Sequence, residues 1–311
     1  MTRFENNLVN LVSLSNSLKK KFVKDYNLPV DVFAEPMFTD ALKLLDGQFC
    51  VAKKLQDFLV AVNSFKTEED FFVYSSDLLQ KVVKSVSSTE EYVDFTTRDM
   101  NEYNLNTKSN VASEKLYQEK NLDKTFVSFD LKSANYVSLV YAGVFGTVSE
   151  DYDYKTFMSE FTEFEHFKNS KNFRQTLFGN LCPKRQQKVQ KFLVQGLYEV
   201  LGFDENTKVF SFTSDELVVE GDLSQVDLDT LKGTVFEDCV RVTEFVLEPC
   251  ESTTGKMYYV KNFGQSFELK MVPKQYYTQA YKKVLNEDLT DSDLMFFQDG
   301  LLAKFLSPMF V

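Results

Sequence analysis

The chain has 311 residues, a formal net charge of −11, 43% hydrophobic and 26% charged residues, 31 Phe, 15 Tyr and no Trp. This composition excludes a disordered or collagen-like chain. A uniformly acidic surface repels nucleic acid and acidic membranes, so nucleic-acid binding would require the basic residues to be gathered in one place.

The opening segment MTRFENNLVN lacks the apolar core of a signal peptide. No run approaches the roughly 18 apolar residues of a spanning helix. A soluble, cytoplasmic protein without membrane contact is expected. Residues 1 to about 122 read as a helical N-terminal region. Leu8, Leu11, Val12, Leu18 and Phe22 form a helical stripe. Thr67 ahead of Glu68, Glu69 and Asp70 reads as an N-cap with acids in the first turn, and the helix continues through Leu78, Leu79, Val82 and Val83. The polar run RDMNEYNLNTKSN reads as a linker or exposed loop.

The texture changes at about residue 123. TFVSFDL, Thr125 to Leu131, reads as a buried strand ending in Asp130, and SANYVSLVYAGVF as a buried helix. One helix is predicted over about 155–179. A second starts at Pro183, ends before Gly202 and carries a core stripe of Val189, Phe192, Leu193, Leu197 and Val200. VFSFTSDELVVEG reads as a β-hairpin with Ser214-Asp215-Glu216 at its tip. CVRVTEFVLEP reads as a strand and GKMYYVKNFGQSFELKMVP as a second hairpin; the segment from Tyr276 to Val311 reads as helical. The predicted fold class is α+β: an antiparallel sheet over residues 123–275, with helices inserted at about 155–202, behind the helical N-terminal region.

Cys50, Cys182, Cys239 and Cys250 form no Cys-x-x-Cys pair, which argues against zinc and for reduced thiols. The single histidine, His166, has no evident nucleophile near it and reads as structural. A catalytic metal would therefore be held by carboxylates, which selects Mg²⁺ or Mn²⁺. If the strand of Asp130 and the hairpin of Asp215 are neighbours, their carboxylates converge and can serve a two-metal phosphoryl-transfer site. Taken singly, Asp130 also reads as a cap of the following helix, and Asp215-Glu216 as a solvated turn. From His166 to Tyr198 the chain holds Lys168, Lys171, Arg174, Lys184, Arg185, Lys188 and Lys191 and no acid. A solvated helix usually mixes signs, so this island suits phosphates. Helical spacing puts Lys168, Lys171, Arg174 and Phe178 on one face.

Three segments resemble motifs of nucleic-acid polymerases, in particular family A DNA polymerases and their single-subunit RNA polymerase relatives. FDLKSANYVSL resembles motif A, a strand ending in a metal-binding aspartate, Asp130. SKNFRQTLFGN resembles the fingers-helix motif, with Arg174 ahead of Phe178 and Gly179. TSDELVVE resembles motif C, whose acids map onto Asp215 and Glu216, with Ser214 where the family usually has His. The resemblance implies a polymerase-like palm with inserted fingers helices, a minimal and divergent one. It implies a template-directed nucleotidyltransferase that extends a 3′ end with nucleoside triphosphates by two-metal catalysis. Asp130 and Asp215 would hold the metals, supported by Glu216. Arg174, Lys171 and Lys168 would hold the triphosphate, and Phe178 would stack near the base. Lys184, Arg185, Lys188 and Lys191 would contact template or primer, and Lys261, Lys270 and Lys274 the primer backbone. Asn135, five residues after Asp130, would lie against the ribose; it reads equally as a helix N-cap. The implied partners are a primer-template, nucleoside triphosphates and further protein subunits, the last favoured by the acidic charge. The alternatives are a two-metal nuclease and a non-catalytic palm-like subunit of a larger assembly.

Overall fold

A computed structural model describes residues 14–105, 111–145 and 153–311. The helices in chain order are α1 (Asn16–Asp25), α2 (Met37–Phe49), α3 (Val51–Asn63), α4 (Glu68–Ser87) and α5 (Glu90–Thr97). Strand β1 (Thr125–Leu131) and helix α6 (Ala134–Tyr141) follow, then α7 (Tyr154–Ser159), α8 (Glu165–Asn169), α9 (Lys171–Gly179) and α10 (Pro183–Val200). The last part holds β2 (Val209–Phe212), β3 (Glu216–Glu220), β4 (Val240–Glu251), β5 (Met257–Asn262), β6 (Phe267–Lys270), α11 (Tyr277–Leu285), β7 (Met295–Gln298) and β8 (Leu301–Lys304). The protein is α+β, with an antiparallel six-stranded sheet in the order β2-β3-β1-β4-β5-β6 and a separate β7-β8 hairpin. Among the described residues no helix is long and apolar enough to cross a membrane.

The chain divides into two compact units: Met1–Tyr74 with Phe164–Asn172 and Glu248–Val311, and Ser75–Glu163 with Phe173–Leu247. The units interleave along the chain, which a linear reading of its texture does not reveal.

In the second unit β1 lies between β3 and β4. Its register sets Phe126 opposite Phe245, and the two rings stack at 5.6 Å. Val127, Phe129 and Leu131 point to one face and Phe126, Ser128 and Asp130 to the other, as strand alternation requires. Helix α10 starts with Pro183 in its first turn and ends just before Gly202 at φ +67°. It buries Val189, Leu193, Val194 and Leu197 and packs on α6. Of the predicted stripe, Phe192 and Val200 are only partly buried, and Phe192 sits edge-on to Tyr103.

The first unit has an aromatic core in which Phe22, Phe58, Phe71 and Phe167 are fully buried. Leu18 and Phe22 of the predicted stripe are buried. Leu8, Leu11 and Val12 lie outside the described residues, as do residues 106–110 of the expected loop. Thr67 caps α4 as its sequence suggests: its hydroxyl accepts from Asp70 N–H at 3.1 Å, and Asp70 accepts from Thr67 N–H at 3.1 Å.

Two expectations are corrected. The helix predicted over 155–179 is three helices, α7, α8 and α9. Ser170 leaves helical geometry at φ −70°, ψ 112°, and its buried hydroxyl donates to the Asp25 carbonyl at 3.2 Å. Lys168 is therefore cut off from the helix that carries Lys171, Arg174 and Phe178. The C-terminal segment is α-helical only in α11, with one 3-10 turn at Asp291–Leu294; β7 and β8 form a hairpin turned by Asp299 and Gly300, both at positive φ. An Asp-Gly pair is a strong signal for such a turn.

Candidate active site

The site in the second unit starts from strand register. Asp130 stands directly opposite Glu216 on β3 and opposite Arg241 on β4. Directly opposed residues of antiparallel strands share a face, with Cβ atoms about 4.5–5.5 Å apart. An ion pair and a hydrogen bond lie on this face. Arg241 reaches the Asp130 carboxylate at 3.3 Å, and the Ser128 hydroxyl donates to Glu216 Oε1 at 2.8 Å. The carboxylate that shares a face with Asp130 is thus Glu216. Asp215 is in register with Leu131, whose N–H donates to the Asp215 carbonyl at 2.8 Å. Its exposed side chain accepts from the Thr213 hydroxyl at 3.1 Å within the turn.

A cavity of about 310 Å³ in the same unit is lined by Lys132, Tyr136, Tyr154, Lys155, Arg174 and Cys239, among others. Arg174 projects from α9, and its guanidinium lies 5.5 Å from the centre of the Tyr154 ring. It is half-buried and has no carboxylate partner among the described residues. Burial pulls its pKa below the ordinary arginine value; Tyr154 opposes this, Arg241 adds to it, and Asp130 opposes it. The guanidinium is therefore a partly desolvated positive charge within electrostatic reach of Asp130. Lys132 donates to the Asp238 carbonyl at 3.0 Å. The Tyr154 phenol is buried without a hydrogen-bond partner among the described residues, and burial raises its pKa. Burial likewise pushes the Cys239 thiol up to about 11, so it stays protonated at neutral pH.

The other predicted residues fall as follows. Phe178 is fully buried against Tyr154 and Tyr136, with ring centres at 5.8 and 6.3 Å. It is in the core, unavailable to stack on a base, and backs two tyrosines that line the cavity. Asn135 is inside α6, whose N-cap is Ser133. Its side-chain carbonyl accepts from Gln190 at 2.7 Å, tying α6 to α10. The basic face of α10 is partly used up internally. Arg185 donates to the Arg98 carbonyl and lies 5.6 Å from the Phe95 ring centre, and Lys188 donates to Asn104 at 2.9 Å. Lys184 is exposed and Lys191 half-buried. Lys168 and Lys171 belong to the first unit, where Lys168 pairs with Glu165 at 3.1 Å.

His166, also in the first unit, is fully buried. Its ring nitrogens meet Tyr26 Oη at 3.0 Å and Asp25 Oδ2 at 2.9 Å, an arrangement that locks α8 onto the end of α1. Lys132, Tyr154, Lys155 and Arg241 are not among the candidates drawn from the sequence. Lys132 lies two residues beyond Asp130, and the alternation of CVRVTEF places Arg241 on one face, so these two carried a signal; Tyr154 and Lys155 carried none.

Among the described residues no group of three or more His, Cys, Asp or Glu side chains is placed to hold a metal ion. The opposed pair of Asp130 and Glu216 offers two hard oxygen donors. That suits a cation such as Mg²⁺, which keeps water and phosphate among its ligands. The fold and site thus define an α+β protein with a paired-carboxylate sheet face and a cation-lined cavity in one unit. No protein-family model, no curated protein and no solved structure matches the chain.

Proposed function

We propose that the second unit is a polymerase-like palm and that the protein is a nucleotidyltransferase, extending a nucleic-acid 3′ end on a template with nucleoside triphosphates. The observation that carries this reading is the register match of Asp130 with Glu216, in a unit where Arg174 pairs with no carboxylate among the described residues. Asp130 and Glu216 would hold a divalent cation, Mg²⁺ or Mn²⁺. When bound, the cation supplies neutralisation of the charge on the phosphoryl group in transfer.

The remaining roles fall to this chain's own side chains. Arg174 holds triphosphate oxygens, helped by Lys132 and Lys155. The Tyr154 hydroxyl donates to the ligand and so gains the partner it lacks. Phe178, behind Tyr136 and Tyr154, keeps that wall rigid. Arg241 orients the Asp130 carboxylate. Lys184, exposed on α10, is suited to strand phosphates.

A second reading, a non-catalytic palm-like subunit, is favoured by the Arg241–Asp130 ion pair, which already satisfies one of the two acids. A labelled primer-template incubated with Mg²⁺ or Mn²⁺ and either ribo- or deoxynucleoside triphosphates separates the readings. Elongation supports the polymerase. Shortening means a nuclease, and an unchanged primer means a binding subunit.

A further inference from the structure

The first unit contains a second cavity, of about 380 Å³, unrelated to the acids and arginine of the second unit. Its walls include Tyr26, Phe49, Tyr277, Lys171 and Lys270. We propose that this cavity is a binding site for single-stranded nucleic acid, with backbone phosphate on Lys54 and Lys171 and a base against the aromatic wall.

Lys54 projects from α3, one turn past the left-handed Cys50 that joins α2 to α3. Its ammonium lies over the two wall rings, 5.7 Å from the centre of Tyr26 and 6.0 Å from that of Phe49. It is half-buried and has no acidic partner among the described residues. Ring faces attract a cation but do not neutralise it. Burial accordingly lowers the Lys54 pKa.

The acids of this region are already engaged. Glu268 pairs with Lys270 at 2.6 Å, Asp57 with Lys53 at 2.7 Å, and Asp25 with Lys21 at 2.5 Å. Lys171 is exposed on the cavity wall and also lacks a carboxylate partner among the described residues. Two lysines without a carboxylate partner among the described residues thus stand by these rings, Lys171 in the cavity wall and Lys54 against Tyr26 and Phe49. An anion is the ligand that completes them.

The rest of the wall selects among anions. Phe49 and Tyr277 meet edge to face at 6.5 Å. The Gln48 side chain borders the same cavity; its amide nitrogen is spent on the Phe267 carbonyl, and its buried oxygen has no partner. A base offers a π-face to the rings and N–H donors to that oxygen. A bare inorganic anion offers neither. Aromatic rings interleaved with lysines are how single strands are held without regard to sequence.

The test is fluorescence anisotropy of the full chain with a short labelled oligothymidylate, an abasic oligomer of equal charge, and inorganic phosphate as competitor. Lys54→Gln and Lys171→Gln are each expected to weaken oligothymidylate binding on the order of tenfold. Each should also flatten the salt dependence by about 0.7 in logarithmic slope, the value for one lost phosphate contact on a single strand. Thermal melts of both variants check that the fold is kept. Wild-type affinity in the double variant overturns the proposal. Equal binding of the abasic oligomer, or full competition by phosphate, also overturns it, by removing the base from recognition. The polymerase reading is tested apart. Affinity lost in these variants of a protein that extends no primer leaves this inference standing and removes that reading. Primer extension with normal oligomer affinity in the double variant does the reverse.

Discussion

Arg174 is the side chain on which nucleotide binding turns. Its charge is half-buried, stacked on Tyr154 and unpaired by any described carboxylate, so a phosphate would meet a cation that has little other compensation. A charge-assisted contact of this kind contributes about 1.5–3 kcal/mol. Arg174→Ala is therefore expected to lower kcat/KM for nucleotide by about ten- to a hundredfold. An unchanged nucleotide titration would take Arg174 out of the site. Tyr154→Phe removes only the buried hydroxyl. Left unpartnered in the free protein, that hydroxyl is a cost of burial, so the variant should melt at or above the wild-type temperature while binding nucleotide more weakly. A lower melting temperature would mean that the phenol has a partner within the fold. Of this site the sequence made Asp130 and Arg174 legible, because a strand-end acid and an acid-free basic island stand out without coordinates. The resemblance put the metal on Asp215 with Glu216 in support, whereas the register sets Glu216 opposite Asp130. Side chains alternate along a strand, and only the pairing register says which of two neighbours shares a face with Asp130.

At the scale of elements, α8 is fastened to α1 through His166. Burial holds the imidazole pKa below its ordinary value, against the pull of Asp25. Burial alone would raise the Asp25 pKa, but the hydrogen bond from His166 and the charge of Lys21 bring it below the usual carboxylate value. The unfolded chain thus binds a proton at His166 that the folded chain refuses. Stability is full above the unfolded histidine value of about 6.5 and falls as the pH drops below it. A further loss, from Asp25, begins below the ordinary aspartate range. The melting temperature should decline between about pH 7.5 and pH 5.5, and the decline should be shallower in His166→Gln. Identical slopes in the two proteins would show that another group titrates. The elements that the sequence did disclose are those with local punctuation: Thr67 before three acids, Pro183 at the start of α10, and Gly202 after it. The break at Ser170 has no such mark. It depends on a hydrogen bond to Asp25, far away in the chain, and helical periodicity continues smoothly across it. The β7–β8 turn was marked by Asp299-Gly300, but the apolar spacing of α11 carried the helical reading past it.

For the whole molecule the question is whether an acidic chain assembles a metal-dependent site. Two carboxylates on one sheet face, with Arg241 beside them, should bind Mg²⁺ or Mn²⁺ weakly in the free protein. A ligand that binds only the folded state stabilises it by about 2.7 kcal/mol at a hundred times its Kd. Millimolar Mn²⁺ should raise the melting temperature of the wild type by a few degrees, and chelation should reverse the rise. Asp130→Asn should abolish the shift. A shift retained in that variant would place the metal elsewhere in the chain.

The identity of the second acid is the feature on which the polymerase reading depends. Single-turnover nucleotide incorporation on a primer-template, measured for wild type, Glu216→Gln and Asp215→Asn at equal Mg²⁺, decides it. The register of β1 with β3 predicts that Glu216→Gln loses incorporation to the same degree as Asp130→Asn, while Asp215→Asn, altered only in the turn, keeps most of it. Near-normal incorporation by Glu216→Gln would contradict the account. So would a wild-type protein that leaves the primer unextended with every triphosphate and either metal.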